Sequence, residues 1–165
     1  MNIIDPIMME FGQEAANTRR MLERVPEEHL DWTPHEKSMS LGRLATHIAE
    51  NPEWGIAILE QDELAFNMGD YVPRTASTRA ELLDTFDANV ARMTEAMQGT
   101  SDDKLMQPWR LRVDGEVKVE LPRIAVLRGM VLNHMIHHRG QLSVYLRLKD
   151  VPLPTTYGPS ADEAA

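Results

Sequence analysis

The segment Asn133-His134-Met135-Ile136-His137-His138-Arg139-Gly140-Gln141 carries three of the chain's six histidines. His134 and His138 are four residues apart. On an α-helix that spacing is about 400° of rotation and about 6 Å of rise, so both rings leave one face, one turn apart. Two imidazoles placed that way can hold one divalent metal ion. The pattern is not the HExxH of zinc proteases. Met135 stands where that motif needs its catalytic Glu, and no acid lies between the pair. Chance alone often yields a pair at this spacing, so the two residues by themselves decide little.

A third histidine adds weight. His47, in Leu44-Ala45-Thr46-His47-Ile48, shares an apolar helical face with Leu44 and Ile48. An imidazole turned toward a core must be hydrogen-bonded or ligated, because an unsatisfied buried polar group costs about 1–3 kcal/mol. Two readings stand at this point: a metal site of His47, His134 and His138, or three satisfied core or surface histidines. His137 and His138 cannot easily both join His134 on one ion, and His137 is expected beside the site or on the surface. His29 and His35 are expected to be solvated loop residues. Glu50 and Asn51, three and four residues after His47, could approach the site or orient a ring. Trp54 and Tyr145 could wall a pocket, with core packing the plainer role.

The elements that must position these residues are mostly helical. A first helix is expected from about Asp5, capped by that residue, to Arg24, with Pro26 ending it. One short turn covers 26–30. A second helix begins after Ser38 or Ser40, and Pro52 inside it predicts a kink near Ala49. Residues 62–78 read as a long connection, a candidate for lining a site. Ser77 or Thr78 caps a third helix, from about Arg79 to Gln98, which Gly99 stops. Trp109–Val113 and Val117–Leu121 alternate around Asp114-Gly115, which reads as a β-hairpin. The last long helix runs from near Pro122 to about Leu148. The tail from Val151 has three prolines, and its last residues are expected to be disordered. Of the eleven methionines, Met8, Met21, Met93, Met97, Met130 and Met135 are expected as gap fillers between helices. The fold class is therefore all-α, a four-helix bundle over 1–150 with a small β-hairpin inserted before the last long helix, and a tail over 151–165.

Composition removes several functions. The chain has 165 residues, 42% of them hydrophobic, as expected of one soluble domain. It has no cysteine, which excludes disulfides, thiolate metal sites and a cysteine nucleophile. A net charge of −9 makes it a poor partner for phosphate backbones, so no nucleic acid is expected. The start lacks the basic and apolar regions of a signal peptide, and no apolar run approaches the roughly 18 residues of a membrane span. A cytoplasmic location is expected.

The same residues carry a resemblance. His134-Met135-Ile136-His137-His138-Arg139-Gly140-Gln141 fits the HxxxHRGQ pattern of the DinB/YfiT-like family. Leu30-Asp31-Trp32-Thr33-Pro34 and Ser40-Leu41-Gly42-Arg43-Leu44-Ala45-Thr46-His47-Ile48 are similar to its W-x-P and S-x-x-x-L-x-x-H-I segments, and the resemblance spans almost the whole chain. It implies up-down-down-up connectivity, and it implies His47, His134 and His138 as metal ligands. In that pattern Arg139 is expected to pair with an acid, Gly140 to permit close helix approach, and Gln141 to be structural, pointing away from the histidine face. Three neutral imidazoles leave the rest of an ion's sphere open, as catalytic rather than structural sites do. Zn²⁺ or Ni²⁺ is the first expectation, and Fe²⁺, Mn²⁺ and Co²⁺ also accept imidazole. The resemblance further implies a metal-dependent enzyme with a small-molecule substrate, an S-transferase using a low-molecular-weight thiol, and a homodimer by family habit. The alternatives are a metal-dependent hydrolase and a non-enzymatic, stress-associated protein that binds metal or a ligand.

Overall fold

In a computed structural model, residues 2–164 are described. The expected disorder of Ala165 lies outside them. The chain is mostly helical and carries a small three-stranded sheet. The long helices are α1 (Ile4–Leu22), α2 (Leu41–Glu60) and α3 (Arg79–Gln98). A short helix α4 (Asp102–Met106) precedes the strands β2 (Pro108–Val113) and β3 (Glu116–Pro122). The last helical run has three parts: α5 (Arg123–Val126), a wider π-helical stretch (Leu127–Asn133) and α6 (His134–Arg147). α1 packs on α3 and α6, and α2 packs on the same two helices.

Several ends fall where their chemistry puts them. Ser40 caps α2 by accepting from the Arg43 N–H, and Thr78 caps α3 by accepting from the Glu81 N–H. Asp114 and Gly115 both take positive φ, 50° and 81°, which is the backbone of a tight type I′ hairpin turn. At the start of the chain the cap differs from expectation. Ile3 precedes the first helical residue, and the Asp5 carboxylate accepts from the Asn2 N–H instead of capping from outside the helix.

α2 carries His47 and is anchored at both ends. The Leu41 and Gly42 N–H groups donate to the Trp32 and Leu30 carbonyls at 2.8 Å each, so the Leu30-Asp31-Trp32 segment covers two of the helix's orphan donors. A Cβ on Gly42 would sit 3.0 Å from that Leu30 oxygen, which explains a glycine there. At the other end the buried Arg123 guanidinium donates to the Ile58 and Gln61 carbonyls and to Asp62. Pro52 does not interrupt the helix. A proline inside a helix disturbs the backbone bonds of the preceding turn, and Asn89 of α3 donates to the Ala49 carbonyl there at 3.1 Å.

The connection over residues 62–78 contains a strand that the sequence pattern did not suggest. β1 (Glu63–Phe66) pairs in parallel with β2, and β2 pairs antiparallel with β3. Only Leu64 and Phe66 alternate in β1, and its partner lies more than forty residues on, so local pattern had nothing to detect. The hairpin is thus part of a mixed sheet. Trp109 anchors it, fully buried in the core.

That core runs between the helices. Phe11, Leu22, Leu44, Ile48, Leu59, Leu82 and Phe86 are fully buried, as are Met93, Met97 and Met135. Methionine fills gaps here as expected. The tail folds back on the helices. Glu163 pairs with Arg20, Asp162 pairs with Arg147, and the Tyr157 hydroxyl donates to Glu14. Among the described residues, no helix is long and apolar enough to cross a membrane.

Candidate metal centre

His47 from α2 and His134 and His138 from α6 come together. Each offers a ring nitrogen, and the three lie within 4.8 Å of one another. The ring centroids are 4.5–5.0 Å apart. His134 and His138 meet because they are one turn apart on α6, and His47 meets them because α2 packs across that face. The wide turn ahead of His134 is held from α2. Asn51 donates to the Met130 carbonyl at 3.0 Å, one turn beyond His47. π-helical turns leave such carbonyls free, and they recur at functional sites.

The group fits a divalent cation. His47 Nε2 and His134 Nε2 are 2.8 Å apart, one donating and the other accepting. Two nitrogens on one tetrahedral ion sit about 3.3 Å apart when each bond is about 2.0 Å, so a small ring rotation suffices. Gln141 Oε1 lies 2.7 Å from His138 Nδ1. That contact makes Nδ1 the donor and leaves Nε2 with its lone pair for an ion. Gln141 therefore does not point away from the histidines, as its place on the helical wheel suggested. Three residues along a helix is close enough for a long side chain to reach back.

Burial first, then the neighbouring His138 and His134 rings and Arg43, hold the His47 pKa down to about 4. Burial, then His138 and His137, hold His134 down to about 4. His138 is lowered by burial, partly offset by its bond to Gln141. All three rings are neutral at pH 7, the form that ligates. The unfolded chain protonates near pH 6.5 and the folded metal-free chain does not, so protons favour unfolding in this window. The histidines therefore cost no stability above pH 6.5, and stability falls as pH drops from there toward 4. Melting of the chelator-treated protein from pH 7.5 to 4.5 checks this. A His47→Gln variant is expected to flatten that part of the profile.

The other sequence candidates sort clearly. His137 is exposed and edge-on to His138 at 5.0 Å, outside the triad. His35 is exposed and accepts from the Lys37 N–H, and His29 is half-buried. Glu50 is held by Arg43 at 3.2 Å. Arg43 was not singled out from sequence, yet it also donates to the Tyr71 hydroxyl and the Arg74 carbonyl, which fixes the loop beside His47. Arg139 pairs with buried Glu14 at 2.7 Å, as the motif implied. Gly140 does not serve close helix approach, since a Cβ there would meet nothing within 4 Å. Trp54 lines a hollow with His47, whereas Tyr145 packs edge-on against Trp32 at 5.7 Å.

The sequence profile of the DinB family matches residues 4–165. The chain belongs to the DinB family. YrdA of Bacillus subtilis, described only as uncharacterized, is 26% identical over 166 residues, covering 98% of this DinB chain and 92% of its own. The crystal structure of a DinB-like protein of Bacillus subtilis, YjoA, superposes with a TM-score of 0.69 at 19% identity, covering 92% of this chain and 98% of that one. A DinB-like protein from Bacillus cereus gives 0.68 at 21% identity, covering 90% and 94%. These two likenesses establish the DinB-like fold.

Proposed function

We propose that this DinB-family protein is a divalent-metal-dependent enzyme that joins a low-molecular-weight thiol to an electrophilic small molecule. The observation that carries the proposal is the three-histidine group, whose His47 lines a hollow. His47, His134 and His138 would hold the ion, with Zn²⁺ or Ni²⁺ first among the candidates. When bound, a divalent ion supplies Lewis acidity that lowers the pKa of a small thiol. The chain has no cysteine of its own, so sulfur chemistry must come from the cosubstrate. Gln141 orients the His138 ring, and Asn51 ties the turn before His134 to α2. Trp54 and Tyr71 wall the hollow beside His47, and Arg43 keeps Glu50 in an ion pair rather than free as a base. In the reaction a sulfur–carbon bond forms, the electrophile's leaving group departs with the bonding pair, and the thiol proton passes to solvent. We also take the four long helical runs as an up-down-down-up bundle, a reading supported by α1 and α2 each packing on α3 and α6.

The test loads purified protein with Zn²⁺, Ni²⁺ or Mn²⁺ and follows the loss of a haloarene electrophile with several small thiols. Turnover that needs both metal and thiol, and that is lost in His47→Ala, is expected. No turnover with any pairing contradicts the transferase reading. Turnover of an ester or amide without thiol would replace it by hydrolysis.

A further inference from the structure

We propose that the trough running along α2 away from His47 is the subsite for the electrophile's body, and that it takes a planar apolar group carrying a positive rather than a negative charge. The inference rests on the metal-dependent reading above and names the substrate class for that site.

α2 places His47, Glu50, Trp54 and Ala57 along one stripe. From His47 to Ala57 this stripe covers about 15 Å. Two hollows lie along it. One, of about 230 Å³, includes His47 in its lining. The other, of about 390 Å³, includes Ala57, Leu64 and Phe66. Trp54 and Tyr71 line both, as does Glu53, so the two hollows adjoin as a trough along α2, with His47 in the lining of the nearer one.

The far wall comes from β1. Leu64 and Phe66 are two residues apart and share one face of the strand, and both are half-buried. The Phe66 and Tyr71 rings are 6.3 Å apart and tilted by 46°. The chain has three Trp, three Phe and three Tyr, and this trough takes one of each. A hollow of this volume with aromatic walls suits a flat apolar group of one or two fused rings.

Charge decides the rest. In the first hollow, Glu50 is neutralised by Arg43 and Arg74 by Glu81. In the larger one, Glu53 and Glu60 are exposed and make no ion pair among the described residues, against the single cation Arg92. Two free carboxylates to one guanidinium favour a cation, and an aromatic lining that includes Trp54 is compatible with one.

The test uses three probes on one ring system: naphthylmethylamine as the cation, naphthylmethanol as the neutral form and naphthoate as the anion. Calorimetry on zinc-treated protein at pH 7 reads their affinities. The amine is expected to bind at least about tenfold more tightly than naphthoate. Ala57→Phe, which fills the larger hollow, is expected to weaken the amine by about tenfold or more while metal uptake stays at the wild-type level. The exposed pair Glu53→Gln with Glu60→Gln leaves the core untouched, and it is expected to remove most of the difference between amine and naphthoate. No binding by any probe, equal or better binding of naphthoate, or unchanged amine binding in Ala57→Phe that folds as wild type overturns the proposal. His134→Ala separates the two readings. It is expected to lose metal and keep the amine, whereas amine binding by an unaltered protein that takes up no zinc would sink the metal reading and leave the subsite standing.

Discussion

Arg139→Ala is expected to destabilise the protein by about 3–5 kcal/mol, the cost of leaving one partner of a buried ion pair alone. Arg139 and Glu14 are both buried, 2.7 Å apart. The same guanidinium donates to the Glu14 carbonyl and the Thr18 hydroxyl, both at 3.1 Å, and to the Tyr157 hydroxyl at 2.6 Å. Alanine strands the Glu14 carboxylate in the core with only Tyr157 donating to it. A domain's whole stability is typically about 5–15 kcal/mol, so this variant is expected to be largely unfolded or close to it at 37 °C. Arg139 also sits next to His138 on α6 and points to the other side, toward α1. It sets which face of α6 the histidines present. Urea unfolding of metal-free protein measures the loss. The double variant Glu14→Leu with Arg139→Met removes both charges and is expected to recover most of it. A single-variant loss below about 1 kcal/mol would mean that the pair is solvated in solution, as surface pairs are.

His134→Ala is expected to lower divalent-metal affinity by far more than about a hundredfold. Residues that only orient a ligand typically cost about 10–100-fold when removed, and a ligand costs more. Gln141→Leu supplies the comparison, because it removes only the partner of His138 Nδ1. Its expected loss falls within that 10–100-fold range. His137→Ala is expected to bind metal as the unaltered protein does, since its exposed ring is outside the triad. Competition with a chromophoric chelator measures all three. If the losses in His134→Ala and His137→Ala are equal, the choice of ligands is wrong.

Elements fixed by local chemistry were legible in the sequence. The ends of α3 follow from Thr78 and Gly99, and the hairpin turn follows from Asp114-Gly115. The shared face of His134 and His138 and the apolar face of His47 were legible because they are local properties, whereas their convergence across two helices was implied only by the family resemblance. What escaped depends on distant partners. β1 exists because β2 lies beside it. The π-helical stretch reverses no hydrophobic pattern. Leu127 and Leu132 are both buried five residues apart, a step that an α-helical template passes over. Arg43 gave no signal because its partners Glu50, Tyr71 and the Arg74 carbonyl are joined only by the folded loop. Glycine at position 140 suggested close packing by type alone, and the space around it is open.

The central claim is that His47, His134 and His138 hold one divalent ion. The most direct measurement is the metal content of protein dialysed against Zn²⁺, beside that of His47→Ala, with X-ray absorption counting imidazole ligands. About one ion per chain on three imidazoles is expected, with the ion lost in His47→Ala. Metal content unchanged in His47→Ala, or an ion bound without three imidazoles, would contradict it.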